Sequence, residues 1–399
     1  VQCEKKLWYS YYRKDLQLPT DEQTQAIFDL GHQIGNLAQN RFPNGKDATP
    51  EDFSDFSPSI EKTKLWIAEE VETIYEATFT AKNALCMLDI LHRMNDEVWA
   101  IEVKNSTSVK DYHLTDASLQ YFVMKEAGYA PDKFFLMHIN NQYIKNGELT
   151  DEFFHLEDIT DKVLSKQTWV EENLERLLVM LENKQEPNVS IGAHCSSPFA
   201  CDFVHHCWKH IPENSVFELY RGGNKAWELY EQGILKIEDI EDDFPLTHFQ
   251  HLQRKGLRNQ EQYINKEAIK NMISSWQFPL YFFDFETVFP AIPVLDGTRP
   301  YQQVPFQYSL HILEEDGKLS HKEFLAHPED FSNGKNPLKL LVEQLKQDFG
   351  TDGNIVTYNQ SFEVARLNEL ANMFPEDAPF LKNLVSRVVD LLPVFQGGF

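Results

Sequence analysis

The sequence predicts an α/β protein of two domains joined by a helical connector. Three observations carry this. A chain of 399 residues exceeds what one ordinary core holds. Its 42% hydrophobic and 13% aromatic content supplies real cores and excludes a disordered chain. Apolar strand-like runs mix with helix-period segments twice, once within residues 1–210 and once within 279–399, and the stretch 211–278 between them is charged and helical.

Taken in order, Cys3 to Asp15 reads as a short helix rich in Trp and Tyr. Residues 21–41 place Ile27, Leu30, Ile34 and Leu37 at helical spacing. Pro43 to Pro58 is rich in Pro, Gly and Asp and reads as loop. A helix from Ser59 to Glu70 leads into strands at Ile74–Thr80, Ala84–Leu91 and Val98–Val103, with Met94-Asn95-Asp96-Glu97 turning the last two into a hairpin. Thr115–Ala127 reads as a helix with Leu119, Phe122 and Val123 on one side. Phe134–Ile139 is a buried strand, Gln142–Ile144 an extension of the sheet, and Val170–Glu182 an amphipathic helix. The connector holds Arg221-Gly222-Gly223 and helical pieces at Trp227–Gln232 and Lys266–Trp276. The second domain opens with a strand at Leu280, continues with strands at Val304–Leu313 and Asn354–Tyr358, and has helices at Leu338–Asp348 and Phe362–Met373.

No apolar stretch reaches membrane-span length and no charged-then-apolar leader opens the sequence, so a soluble, cytoplasmic protein without a membrane partner is expected. The net charge of −25 argues against a uniformly basic, phosphate-tracking surface. It is compatible with a carboxylate-rich metal site and a local basic groove. Five cysteines are too sparse for a disulfide framework.

Asp89 lies inside an otherwise apolar strand, and Glu102 and Lys104 share one face of the next. A hairpin brings the three together. Surface Glu-x-Lys pairs are common, but these have buried-type flanks and an Asp on the preceding strand. Two carboxylates hold Mg²⁺ or Mn²⁺ through hard oxygen ligands. Such an ion polarises a phosphate oxygen and acidifies a bound water, while a lysine positions or deprotonates that water or stabilises developing charge. Leu88-Asp89-Ile90-Leu91, Ile101-Glu102-Val103-Lys104-Asn105-Ser106 and the later Gln120-Tyr121 resemble the motifs of RecB-like PD-(D/E)xK nucleases, with a restriction-endonuclease-like fold. The resemblance implies Asp89 and Glu102 as metal ligands, Lys104 as catalytic, and Gln120 as a substrate contact. The sequence departs from it in two places. Met124, not Tyr, stands four residues after Gln120. In Gly31-His32-Gln33-Ile34-Gly35, Gly35 falls where a first-motif ligand is expected, with His32 nearby.

Cys195, Cys201 and Cys207 are spaced six apart, and Cys3 at the other end of the domain is the candidate fourth ligand. Cys86, within a strand, reads as a packed apolar residue. Thiolates in this pattern suit zinc or an iron–sulfur cluster, and His205 and His206 are compatible with a Cys₃His zinc set. One Cys before a nuclease core and three after it is similar to the arrangement in AddB-type and CRISPR-associated iron–sulfur nucleases. That resemblance implies a structural [4Fe–4S] cluster held by Cys3, Cys195, Cys201 and Cys207.

Tyr281-Phe282-Phe283-Asp284-Phe285-Glu286-Thr287 puts two carboxylates on one face of a strongly apolar strand. They repel unless a cation lies between them, and a divalent metal pair is the usual answer. This strand resembles the opening motif of DnaQ-like DEDD exonucleases, whose fold is RNase H-like. Tyr358-Asn359-Gln360-Ser361-Phe362-Glu363 resembles the second motif, with Glu363 in place of Asp, and Asp390 resembles the acid that opens the next helix. The resemblance implies metal ligation by Asp284, Glu286 and Asp390 and a catalytic role for Glu363. The family's last His/Tyr and Asp would follow Phe399, so the domain is read as incomplete. The whole chain is similar to a bacterial family of unknown function that fuses the two modules. The expectation is a Mg²⁺- or Mn²⁺-dependent nuclease, end-directed or single-strand-acting, on DNA before RNA, in repair or defence. The alternatives are an RNA-processing exonuclease led by the second domain and a non-catalytic nucleic-acid-binding scaffold.

Overall fold

The chain divides into two units, Val1–Tyr143 with Gly147–Lys209, and Ile144–Asn146 with His210–Phe399. The structure, a computed structural model, describes residues 1–332 and 335–396, so the last three positions of the expected 279–399 domain lie outside the described residues. Both units are mixed α/β. The expected connector belongs to the second unit.

In the first unit the elements run α1 (Glu4–Tyr12), α2 (Glu22–Gln39), β1 (Lys46–Asp47), α3 (Ser57–Ala68), β2 (Thr73–Ala81), β3 (Ala84–Met94), β4 (Glu97–Lys104), α4 (Asp111–Glu126), β5 (Lys133–Ile139), β6 (Phe154–Asp158), α5 (Thr160–Leu164), α6 (Gln167–Glu182) and α7 (Val204–Cys207). Asp21 starts α2 by accepting the Thr24 N–H at 2.7 Å. Only the C-terminal half of that helix's apolar stripe is covered: Ile34 and Ala38 are buried, whereas Ile27 is exposed.

The six strands form one sheet in the order β1-β2-β3-β4-β5-β6. Lys82-Asn83 turns β2 into β3 and Asn95-Asp96 turns β3 into β4. Positive φ at Lys82, Asn83 and Asn95 suits such two-residue hairpin loops, whose twist matches that of the strands. β4 and β5 are parallel, so the chain must cross over between them, and α4 is that crossover. The core between α4 and the sheet holds Leu88, Ala100, Ala117, Val123, Met124 and Leu136. Each large apolar side chain buried there stabilises the fold by about 1.5–3 kcal/mol.

Two sequence expectations fail here. Gln142–Ile144 is not a strand, and the sheet is extended instead by β6, which pairs antiparallel to β5. The Pro43–Pro58 loop contains the short strand β1, which pairs parallel to β2, and its last two residues open α3.

In the second unit α8 (Asn224–Glu231), α9 (His248–Asn259) and α10 (Lys266–Ile273) precede the sheet, and Val216, Leu219, Leu229, Ile237 and Ile240 form a small core of their own. Then come β7 (Leu280–Val288), β8 (Val304–Leu313), β9 (Leu319–Leu325), α11 (Pro328–Ser332), α12 (Pro337–Asp348), β10 (Asn354–Thr357), α13 (Ser361–Met373), α14 (Ala378–Ser386), β11 (Val388–Asp390) and α15 (Leu392–Gln396). The sheet order is β11-β10-β7-β8-β9, with β11, β10 and β7 parallel and β7, β8 and β9 antiparallel. Tyr281, Phe283 and Phe285 point into the core, so Asp284 and Glu286 point away from it.

Candidate functional site

The β3–β4 hairpin sets Asp89 beside the strand that carries Glu102 and Lys104. The Val103 N–H, between those two residues, donates to Asp89 Oδ2 at 2.6 Å. Lys104 Nζ donates to Glu102 Oε1 at 2.7 Å and to Asp116 Oδ2 on α4 at 2.8 Å. Glu102 is buried, and its second oxygen, Oε2, has no hydrogen-bond partner. A buried carboxylate oxygen left unbonded is costly, so it marks a place where a cation or donor is wanted.

The electrostatics agree. Burial raises the Asp89 carboxyl well above the usual range, and Glu76 raises it further, while the Val103 N–H and Lys104 pull it down. Burial likewise raises Glu102, followed by the charge of Asp89. Glu76, on β2, is pushed up to about 7 by burial, then by Glu102 and Asp47. Burial weakens the Lys104 ammonium, but Glu102 and Asp116 outweigh that and hold it more firmly protonated than a free lysine. His113 on α4 is lowered to about 4, first by burial and then by Lys104. Its Nδ1 accepts the Lys110 N–H at 3.2 Å.

Asp89, Glu102 and Lys104 are therefore brought together, as expected from the sequence. Gln120 lies on α4 one turn after Asp116, buried, with Oε1 unpartnered. The first-motif candidates do not contribute: His32 is exposed, and a Cβ on Gly35 would meet nothing within 4 Å. Two acids the sequence reading missed are present instead, Glu76 and Asp116. Glu76 adopts φ of 54° in mid-strand, a conformation rare for a side chain of its size. The only trace of this in the sequence is a carboxylate within an otherwise strand-like run; Asp116 has no such signal, since it sits among polar helix residues.

Cys3, Cys195, Cys201 and Cys207 line one pocket, together with Lys5, Lys6 and Tyr9. All four are free thiols, and Cys86 lies apart in the sheet core. Gln2 Nε2 donates to the carbonyls of His194 and Phe199, and Tyr12 Oη donates to that of Leu181, tying the start of the unit to its end. Burial pushes the Cys201 and Cys207 thiols up, and Lys6 and Lys5 pull them back. The donor set fits a soft, thiolate-bound group. Either a zinc ion or an iron–sulfur cluster takes such a donor set.

In the second unit, Asp284 and Glu286 are exposed on β7, opposite Ser309 and Gln307 of β8, with a bulge after Glu286. Glu363, on the first turn of α13, is buried with Oε2 unpartnered. Burial, then Asp284 and Asp390, push it up to about 7. Asp390 ends β11, and its Oδ1 accepts the N–H groups of Asn359 and Leu392, each at 2.9 Å. Asp284, Glu363 and Asp390 therefore gather at one place. Glu286 shares the Asp284 face of β7.

Residues 281–399 match the family model for a domain of unknown function, DUF2779. A Mycoplasma genitalium protein described as uncharacterized protein MG366 is 29% identical over 120 residues, covering 29% of this chain and 18% of that protein. Its Mycoplasma pneumoniae homolog is 32% identical over 121 residues, with the same two coverages. The uncharacterized protein UU173 of Ureaplasma parvum is 29% identical over 136 residues, or 32% of this chain and 19% of that one. The chain thus spans under a fifth of the length of these curated relatives. A solved structure described as the crystal structure of SSO0001 aligns at 12% identity over 44% of this chain and 71% of that one, with a TM-score of 0.22. Among the described residues no helix is long and apolar enough to cross a membrane.

Proposed function

We propose that this protein is a metal-dependent nuclease whose first unit is a PD-(D/E)xK cutting domain held closed by a [4Fe–4S] cluster, and whose second unit is a DEDD-type, RNase H-like exonuclease domain. The supporting observation is the convergence of half-buried Glu76 and Asp89 on buried Glu102, which pairs with Lys104 and keeps one carboxylate oxygen unpartnered. Three acids and one ammonium leave an excess of negative charge. A divalent cation relieves it.

Mg²⁺ or Mn²⁺ bound there would polarise a phosphate oxygen and lower the pKa of a bound water. The rest falls to the chain itself. The Val103 N–H fixes Asp89, so its free oxygen is aimed without a search through rotamers. Lys104, clamped between Glu102 and Asp116, stays protonated at neutral pH. It therefore serves as a positioning charge for the phosphate or as a donor to the leaving oxygen, rather than as the base. Gln120 Oε1 is an acceptor ready for a substrate donor. Cys3, Cys195, Cys201 and Cys207 would hold the cluster, with Lys5 and Lys6 offsetting its negative charge. In the second unit Asp284, Glu363 and Asp390, with Glu286 on the neighbouring strand position, offer a second all-carboxylate set.

DNA is the favoured substrate, with RNA as the competing outcome. Labelled single- and double-stranded DNA and RNA are incubated with the anaerobically purified protein in Mg²⁺ or Mn²⁺, alongside Lys104→Ala and Asp284→Ala. Loss of DNA cleavage in Lys104→Ala alone supports the reading. Cleavage of RNA only, lost in Asp284→Ala, transfers the activity to the second unit. No cleavage of any substrate by the unaltered protein refutes both.

A further inference from the structure

β6 is an edge strand of the first unit's sheet, and it pairs antiparallel to β5 with His138 opposite His155 and Leu136 opposite Glu157. His155 and Glu157, two apart, share one face, and His138 faces both from the neighbouring strand. The ligand-capable atoms of all three lie within 4.8 Å of one another. We propose that His138, His155 and Glu157 form a binding site for a divalent transition-metal ion, separate from the Glu76–Asp89–Glu102 constellation.

The hydrogen bonds around the three residues fit this role. His138 Nδ1 lies 3.1 Å from the Ile139 carbonyl oxygen. A carbonyl only accepts, so Nδ1 carries the proton and Nε2 presents a lone pair. That is how a protein prepares an imidazole to bind metal. His138 Nε2 is 4.0 Å from Glu157 Oε2, too far for a hydrogen bond and within the span of two ligands sharing one ion. The other Glu157 oxygen, Oε1, accepts from Lys162 Nζ at 2.8 Å, which fixes the carboxylate with Oε2 toward the histidines. His138 Nε2 and Glu157 Oε2 thus face each other without a hydrogen bond, and a ring nitrogen of His155 lies within the same span. The buried His138 and half-buried Glu157 form the back of the site, and the exposed His155 leaves a coordination position open to solvent. Two imidazoles and one carboxylate select a borderline ion such as Zn²⁺, whereas the all-oxygen constellation selects Mg²⁺ or Mn²⁺.

The test titrates the anaerobically purified full-length protein, its cysteine pocket left loaded, with Zn²⁺ by calorimetry in excess Mg²⁺ and reads the bound ion by X-ray absorption. Nitrogen and oxygen neighbours lie near 2.0–2.1 Å and sulfur near 2.3 Å from zinc, so the cysteine pocket is distinguished directly (~0.2 Å apart). The proposal expects one equivalent with a nitrogen/oxygen shell, retained in Asp89→Asn. His155→Ala and Glu157→Gln should weaken it by about 10-fold or more. His155 is exposed, so its variant keeps the fold, which a melting curve checks. A sulfur shell only, loss of binding in Asp89→Asn, unchanged affinity in His155→Ala, or no bound zinc in the unaltered protein each overturn it.

Discussion

The two carboxylate clusters of this chain solve the same electrostatic problem in opposite ways. In the first unit Glu102 is buried, Glu76 and Asp89 are half-buried, and an internal ammonium, Lys104, pairs with Glu102 and Asp116. In the second, Asp284 and Glu286 stand on an exposed strand face, and only Glu363 is deeply buried. Acids withdrawn from water cannot share their charge with it, so the first site is tuned by burial and by its neighbours. The exposed acids are screened and change less when a neighbour is removed. Seen from the sequence, the two sites look alike, each a pair of acids in an apolar strand; what separates them is what packs on top.

The largest expected contrast is in cleavage. Glu102→Gln removes a buried carboxylate that meets both the proposed cation and Lys104, and phosphodiester cleavage by the first unit should fall about 10²–10⁴-fold. Asp284→Asn should leave that activity intact. Equal losses in the two variants, read by gel-based rate assays, would show that the sites work as one and erase the contrast.

A smaller effect separates the two ends of the first unit from its sheet. Cys201→Ser should abolish the broad absorbance near ~400 nm expected of anaerobically purified protein. It should also lower the stability of that unit by roughly 2.7 kcal/mol or more, the linkage energy of a group present at ~100 times its Kd. Cys86→Ala, in the core between α4 and the sheet, should cost only ~1 kcal/mol and keep the colour. Loss of colour in Cys86→Ala and not in Cys201→Ser would misplace the cluster.

The finest contrast is in pH. Glu76 and Glu363 are each pushed up to about 7 from an ordinary value near ~4.3. Between those values the unfolded chain has released the proton and the folded chain has not, so stability without metal is fullest below about 4, falls as pH rises, and levels above about 7. Binding of Mn²⁺ requires the ionised carboxylates and strengthens over the same window. Glu76→Gln should weaken the pH dependence of the first unit without abolishing it, because Asp89 and Glu102 are raised by burial as well, and Glu363→Gln should weaken that of the second. Differential scanning of each variant across this range checks the assignment, and a flat profile in the unaltered protein would refute it.

Much of this architecture was legible because charge inside an apolar strand is conspicuous. Asp89, Glu102, Asp284 and Glu286 announced themselves that way, and the clustered cysteines announced their pocket. Other parts gave no such signal. β9 is exposed along nearly its whole length and so carries no alternation. β6 is short and polar, and the three-ligand arrangement of His138, His155 and Glu157 exists only once its register with β5 is known. Glu76 depends on an unusual backbone angle, and Asp116 on the tilt of a helix, neither of which composition encodes. The glycines of α2 suggested a ligand that the helix does not present, since packing Ile34 and Ala38 inward leaves His32 facing solvent.

The cysteine pocket also orders events in time. Gln2 reaches the backbone at His194, 192 positions later, and Cys3 lines a wall completed only by Cys207. Closing so long a loop comes late in folding, after the local hairpins. During synthesis the first helix must wait, solvent-exposed and with its thiol unshielded, until nearly the entire unit has left the ribosome. Whatever loads this pocket therefore meets an assembled sheet, and a chain halted short of residue 195 would carry Cys3 with none of its three partners.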